Sequence, residues 1–293
     1  YRGDRVSGKT TAFKVAASVY GGASYLLRWR TTDNALEAIA AQHSDCLLIL
    51  DELAQVDPKT AGECAYMLAN EQSKARATRT GTARTRLSWR LLFLSAGELG
   101  LADHMAEGMK RTRTGQEVRM ADIPADAGAG LGAFENLHGR DGGAAFATHI
   151  THQAQAMYGA TGRAWLQWLT EHADTLKARV REGAAALACQ LIPEAASGQV
   201  VRVGERFALV GAAGELATAA GLSGWPVGES ERAARAMPGW PRGVALAMGR
   251  LWPCCGPCGG SWKRMARAGL RCGIDPPTIT RPRRCNAPVC GAC

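Results

Sequence analysis

The chain has 293 residues, 46% of them hydrophobic and 21% charged, enough for one large or two ordinary domains with buried cores, which excludes disorder as the main state. No stretch nears the ~18 uninterrupted apolar residues of a membrane span and no basic-then-apolar leader opens the chain, so a cytoplasmic protein without membrane contact is expected. A formal charge of +9 and ten cysteines point at first to a basic, zinc-holding nucleic-acid binder, but neither feature is spread evenly.

In chain order, Gly3-Asp4-Arg5-Val6-Ser7-Gly8-Lys9-Thr10 fits G-x-x-x-x-G-K-[ST], the phosphate-binding loop. Its glycines let backbone N–H groups wrap an anion at the start of a helix over Thr10–Tyr20. Ser7, Gly8 and Thr11 belong to the same cradle, Lys9 would neutralise β and γ oxygens, and Thr10 would offer a hydroxyl to Mg²⁺. A loop with Gly and Lys also arises by chance. Tyr25–Arg30 reads as a short strand, and Asp33 as the N-cap of a helix to about Gln42.

Cys46 to Leu50 is a continuous apolar run, the pattern of a strand buried on both faces, and it ends in Asp51-Glu52. Ligands of parallel α/β sheets sit at the carboxyl ends of strands, so both acids would emerge beside the phosphate loop. Asp51 would hold Mg²⁺ and Glu52 would polarise the attacking water. The plainer alternative is a buried strand followed by a solvated turn. Asp57-Pro58 opens a helix to about Ala69.

From Lys74 to Arg90 lie Lys74, Arg76, Arg79, Arg84, Arg86 and Arg90 with no acid, on an excursion centred on Gly81. Such a run is commonly just a solvated face. It also suits contacts to a phosphate backbone, and ring helicases place a DNA-contacting hairpin in this interval. The next strand, Leu91–Leu94, ends at Ser95, which would sense the γ-phosphate or simply turn the chain, with Glu98 close behind. Arg111 or Arg113, after the following helix, could serve as a finger reaching a neighbouring subunit's nucleotide. Val118–Ile123 is a candidate last strand. Past the glycine-rich connector Ala127–Gly132 the pattern turns helical, with helices over about 143–158, 162–170, 176–191 and 200–220. Arg202 and Arg206 on the last of these are weaker candidates for a lid sensor.

The alternation predicts an α/β fold of P-loop NTPase type (RecA/AAA-like): a parallel sheet sandwiched by helices over 1–126, a helical subdomain over 127–237, and a disordered or aberrant tail over 238–293. The motif set resembles the C-terminal half of the domain-of-unknown-function 927 family, primase/helicase-like P-loop proteins of phages, plasmids and integrated elements. It is carried by Ser7-Gly8-Lys9-Thr10-Thr11, Thr32-Asp33-Asn34, Leu50-Asp51-Glu52, Tyr66-Met67-Leu68-Ala69-Asn70, Leu92-Phe93-Leu94-Ser95, Gly115-Gln116-Glu117-Val118-Arg119 and Phe134-Glu135-Asn136-Leu137-His138. The resemblance implies an ATPase using ATP and Mg²⁺ on single-stranded or forked DNA, working as a homo-oligomeric ring. Asp4-Arg5-Val6 departs from the small residues usual there, which bears on turnover. The chain also starts at Tyr1, with at most two residues of the strand that presents a phosphate loop. The sequence is therefore expected to be a truncated copy, weakly active or inactive, or a nucleotide-binding switch without turnover.

Residues 1–237 hold 26 Lys and Arg against 25 Asp and Glu, with three cysteines, so the body is nearly neutral. Residues 238–293 hold nine basic residues, one acid, seven cysteines and eight of the twelve prolines. Cys255, Cys258, Cys290 and Cys293 form a CxxC…CxxC pair, which would make a zinc-dependent DNA-binding module. The 31 residues between the pairs exceed the usual spacing. Out-of-frame translation of a GC-rich gene explains more, because CTG codons read one base late give TGC or TGG and raise Cys and Trp together.

Overall fold

The computed structural model describes residues 1–77, 79–110 and 119–236. The chain divides into two compact units, Tyr1–Arg242 and Gly243–Cys293. All of the second unit, with Cys255, Cys258, Cys290 and Cys293, lies outside the described residues, as do Arg111 and Arg113.

In the first unit α1 (Lys9–Tyr20) leads through a 3₁₀ turn to β1 (Leu27–Arg28), α2 (Asp33–Gln42), β2 (Leu47–Asp51), α3 (Pro58–Ala69), β3 (Leu92–Ser95) and α4 (Leu101–Glu107). Three strands form a parallel sheet in the order β1-β2-β3, with Arg28 opposite Asp51 and Leu50 opposite Ser95. Consecutive strands are joined through α2 and α3, the helical crossovers that parallel pairing requires, and both pack in the same cluster on one face. The alternation along β2 shows the sandwich directly. Leu48 and Leu50 enter a cluster with Trp29, Leu36, Ala65, Leu68 and Met105, whereas Ile49 joins Phe13 and Ala17 of α1 on the opposite face.

Tyr1 and Arg2 extend the hydrogen bonding beyond β3 without forming a named strand. Tyr1 N donates to Ser95 O at 2.7 Å, Gly97 N to Tyr1 O at 3.2 Å, Arg2 N to Ile123 O at 2.8 Å and Ala125 N to Arg2 O at 2.6 Å. Arg2 forms parallel bridges to both Gly97 and Pro124. Two residues thus hold the place between β3 and the 123–125 segment, and the loop that follows them is tied to both.

Local signals mostly land where the sequence puts them. Asp57 caps α3, accepting from Lys59 N at 2.9 Å, with Pro58 at the first helical position. The cap of α2 moves back one residue, to Thr32, whose hydroxyl accepts from Ala35 N at 3.4 Å. The strand expected over Tyr25–Arg30 shrinks to two residues because Ala23–Tyr25 is taken by the 3₁₀ turn.

The helical part comprises α5 (Gly143–Ala156), α6 (Ala160–Glu171), α7 (Ala173–Leu191), α8 (Gly198–Ala219) and α9 (Glu229–Ala236). α5 and α6 pack against α1, and α7, α8 and α9 pack together around Leu187, Leu191, Ala208 and Ala234. At Gly211 a Cβ would fall 2.5 Å from Leu187, so glycine is what lets α7 and α8 approach. Among the described residues no helix is long and apolar enough to cross a membrane.

Candidate functional site

The loop between Tyr1–Arg2 and α1 is shaped by its backbone. Gly8 takes φ 86° at the helix entry, and Val6 takes φ 68° with its side chain fully exposed. Gly8 gives α1 no side-chain cap, so the first N–H groups of the helix are directed at the loop mouth, the arrangement that favours an anion. Gly3 has a packing reason, because a Cβ there would lie 2.9 Å from Ala125 Cβ. Lys9 spans the mouth: its Nζ donates to Gly3 O and Asp4 O, both at 2.6 Å, and to Ser7 Oγ at 3.1 Å.

β2 delivers Asp51, buried, to the same place. Thr10 Oγ1 donates to Asp51 Oδ2 at 3.1 Å, and Asp51 Oδ1 accepts from Glu52 N at 2.9 Å. Glu52 adopts a left-handed φ of 60°, uncommon for a residue with a side chain. Its carboxylate accepts from Gln55 Nε2 and lies 4.0 Å from the Arg28 guanidinium. Arg5 and Glu98 pair at 2.6 Å across the rim, both well exposed.

These groups line an open cavity of about 1090 Å³ that includes Ser7, Gly8, Lys9, Thr10, Thr11, Asp51, Glu52 and Glu98. Its far side comes from the connector expected to be a mere linker. Ala133 N donates to Ser7 O at 2.7 Å, Gly132 is so close that a Cβ would lie 2.7 Å from Ser7 O, and Phe134 stands against Gly8. His104 and Glu107 also reach the cavity. Nothing flagged these two in the sequence except their H-x-x-E spacing on α4. His104 is buried, with Nε2 3.0 Å from Val56 O and Nδ1 3.2 Å from Glu107 Oε2.

Ser95 is not brought to the cavity. It is buried, with its hydroxyl accepting from the Trp29 indole N–H at 2.9 Å, and the residues after it, Ala96, Gly97 and Glu98, line the cavity. The polar strand end therefore serves packing between β1 and β3.

The basic excursion is a hairpin. Ser73 N donates to Leu87 O, Trp89 N to Glu71 O and Arg84 N to Arg76 O, with antiparallel bridges at Gln72–Ser88 and Ala77–Ala83 and Gly81 at φ 81° near the tip. Its base is tied to α2: Lys74 Nζ donates to Asp33 Oδ2 at 2.9 Å, and Arg76 donates to Asn34 Oδ1 at 2.6 Å and to both oxygens of buried Glu37. The Lys74 ammonium holds Asp33 below its ordinary value. Burial alone would raise Glu37, but the Arg76 guanidinium and the Lys74 N–H outweigh it and hold the carboxyl low. Lys74 and Arg76 are thus engaged within the chain, whereas Arg79, Arg84 and Arg86 are exposed and have no ion pair among the described residues. No group of three or more His, Cys, Asp or Glu among the described residues could hold a metal by itself.

No curated protein matches the chain. Among solved structures, one described as "SCCmec type IV Cch - active helicase" is similar, with a TM-score of 0.56 and 18% identity, over 79% of this chain and 40% of that one. At that identity the likeness is one of fold, and this chain spans well under half of the neighbour's length. Residues 1–88 match the family model described as "Domain of unknown function (DUF927)", so the resemblance carried by the motifs holds from Tyr1 to the second arm of the hairpin.

Proposed function

We propose that the chain is the P-loop ATPase core of a helicase-like protein of a mobile genetic element, binding ATP with Mg²⁺ in the 1090 Å³ cavity and DNA through the hairpin. The observation that carries the reading is the 3.1 Å hydrogen bond from Thr10 to Asp51, which joins two motifs 41 residues apart at the mouth of a lysine-bearing loop. A hydroxyl and a carboxylate are hard oxygen donors of the kind Mg²⁺ takes while keeping several waters, so the residues fit the ion. When bound, Mg²⁺ would offset charge on the phosphate oxygens. Lys9, now satisfied by loop carbonyls, would exchange them for phosphate oxygens, and Glu52 would orient water at the γ end. Exposed Arg79, Arg84 and Arg86 would supply phosphate-backbone contacts. A ring in which Arg111 or Arg113 reaches the next subunit's nucleotide rests on the family resemblance alone. The solved neighbour's description as a helicase of an SCCmec element agrees with the mobile-element setting.

One observation favours a second reading, a copy that holds nucleotide with little or no turnover. The Glu52 carboxylate is already taken by Gln55 and faces Arg28, and the bulky Asp4-Arg5-Val6 stretch is pinned by Arg5 to Glu98. Equilibrium binding of a fluorescent ATP analogue and phosphate release, with and without single-stranded DNA, separate the readings. Binding weakened at least about tenfold by Lys9→Ala is expected under both. DNA-stimulated release supports the first, binding without release the second, and a wild-type chain that binds no nucleotide rejects both.

A further inference from the structure

α3 carries Lys59, Glu63 and Tyr66, with Asn70 as its C-cap, at spacings of four, three and four, which places them along one side of the helix. Facing them is the first arm of the hairpin, Gln72 to Ala75, with Arg86 from the second arm; Met67 and Met105 contribute apolar surface, and Lys110 and Arg119 complete the lining. Together they form a cleft of about 940 Å³, separate from the phosphate-loop cavity.

The charge in this cleft is one-sided. Among the described residues, Lys59, Lys74, Arg86, Lys110 and Arg119 share the lining with one acid, Glu63; Lys74 is drawn aside by Asp33, whereas Lys59, Arg86 and Lys110 make no ion pair there. α8 adds to the field with Arg202 and Arg206. Burial, together with the like charges of Arg119 and Arg202, pushes Arg206 below the ordinary arginine range, while the Glu71 carboxylate pulls the other way. Clustered cations of this kind repel one another, and a polyanion relieves that repulsion. The cleft also holds an aromatic platform. Tyr66 is 41% exposed, and the Arg119 guanidinium stands 4.4 Å from its ring centroid, close enough to hold the ring by a cation–π contact.

A lined groove of cations with an exposed ring suits a strand whose bases are unpaired, because only such a strand offers both phosphates and a free base face. We propose that the cleft between α3 and the hairpin base is a track for single-stranded nucleic acid, with phosphates along Lys59, Arg86 and Lys110 and a base stacked on Tyr66. The proposal rests on the reading of the hairpin as a nucleic-acid contact and extends that contact from the exposed tip arginines into the body of the fold.

The test is fluorescence anisotropy of the full chain with a short labelled oligothymidylate across a salt series. Tyr66→Ala is expected to raise Kd about tenfold while Tyr66→Phe stays within about twofold, since the ring and not the hydroxyl does the stacking. Lys59→Ala combined with Lys110→Ala should lower the salt slope by about 1.4, or roughly 0.7 for each lost phosphate contact. Thermal melting of each variant separates lost binding from lost folding. Wild-type affinity and slope in the cleft variants, with binding lost in Arg79→Ala/Arg84→Ala, would overturn the track and leave the tip reading standing. Equal competition by a duplex of the same length overturns the single-strand assignment, and failure of the wild-type chain to bind overturns both readings.

Discussion

The base and the tip of the 71–89 hairpin are drawn from one run of positive charge, yet the charge does different things in each. At the base, Lys74 and Arg76 face Asp33, Asn34 and Glu37 of α2, and Trp89 donates its indole N–H to Leu68 O at 2.8 Å. Around the tip, Arg79 and Arg84 are exposed and meet no acid among the described residues. Sequence charge density is therefore a poor guide to surface potential. Partners some forty residues away remove two of the cations and turn them into anchors. What remains for a polyanion is a smaller set held on a fixed stalk.

The largest effect that would break this contrast is on stability. Glu37→Ala leaves the Lys74 N–H without its acceptor and Arg76 with Asn34 but no carboxylate, and a Tm loss on the order of 5 °C or more is expected by differential scanning calorimetry. Arg79→Ala with Arg84→Ala should move Tm by no more than about 1 °C, because exposed cations without partners hold nothing in place. Equal losses in the two variants would mean that tip and base are not distinct.

Acid titration sharpens the same contrast at intermediate size. Folding holds Asp33 and Glu37 below their ordinary values of 3.8 and 4.5, through the Lys74 ammonium for Asp33 and, against burial, through Arg76 and the Lys74 N–H for Glu37. The folded chain then binds fewer protons than the unfolded chain in that window. The stability these carboxylates confer is complete above about pH 5 and falls as the pH drops through the folded-state values. Glu37→Gln should therefore melt lower than wild type at pH 7 and show a shallower fall in Tm between about pH 5 and pH 3. Parallel curves would show that the ion pair at the base contributes nothing specific.

How much of this was legible in the sequence follows from how local each cause is. The glycine turn into α1, the strand ending in Asp51-Glu52 and the Asp57-Pro58 helix start were readable because each is dictated within a few residues by φ, hydrophobic run or cap. The charge run and Gly81 announced an exposed excursion, but not that Asp33 and Glu37 would claim its base. Ser95 read as either a sensor or a turn residue, and its bond to Trp29 was not legible because that partner is 66 residues away and makes no local pattern. The packing of Ala133 and Phe134 on Ser7 and Gly8 was hidden for the same reason: a glycine-rich connector looks like slack until Gly132 is seen to need close approach to Ser7. α9 was missed although Glu231 and Arg235 are spaced i to i+4 and pair at 2.7 Å, a signal that was there to be used.

The smallest expected effect is the most discriminating. Gly81 takes φ 81° near the hairpin tip, and a Cβ there would meet nothing within 4 Å, so Gly81→Ala adds backbone strain without a clash. That strain is worth about 1 kcal/mol, and an exposed tip can shed it by opening locally while the sheet and α2 stay as they are. Tm should shift by less than about 2 °C. Amide exchange reads the difference along the hairpin. The Arg84 N–H, bonded to Arg76 O at 2.8 Å, should exchange about fivefold faster, the factor that about 1 kcal/mol produces, while the Trp89 N–H, bonded to Glu71 O at 3.0 Å, keeps its protection. If both amides accelerate together, the hairpin opens as one unit. The α2 carboxylates would then be holding the tip as firmly as the base, and the freedom of Arg79 and Arg84 to follow a strand would have to be given up.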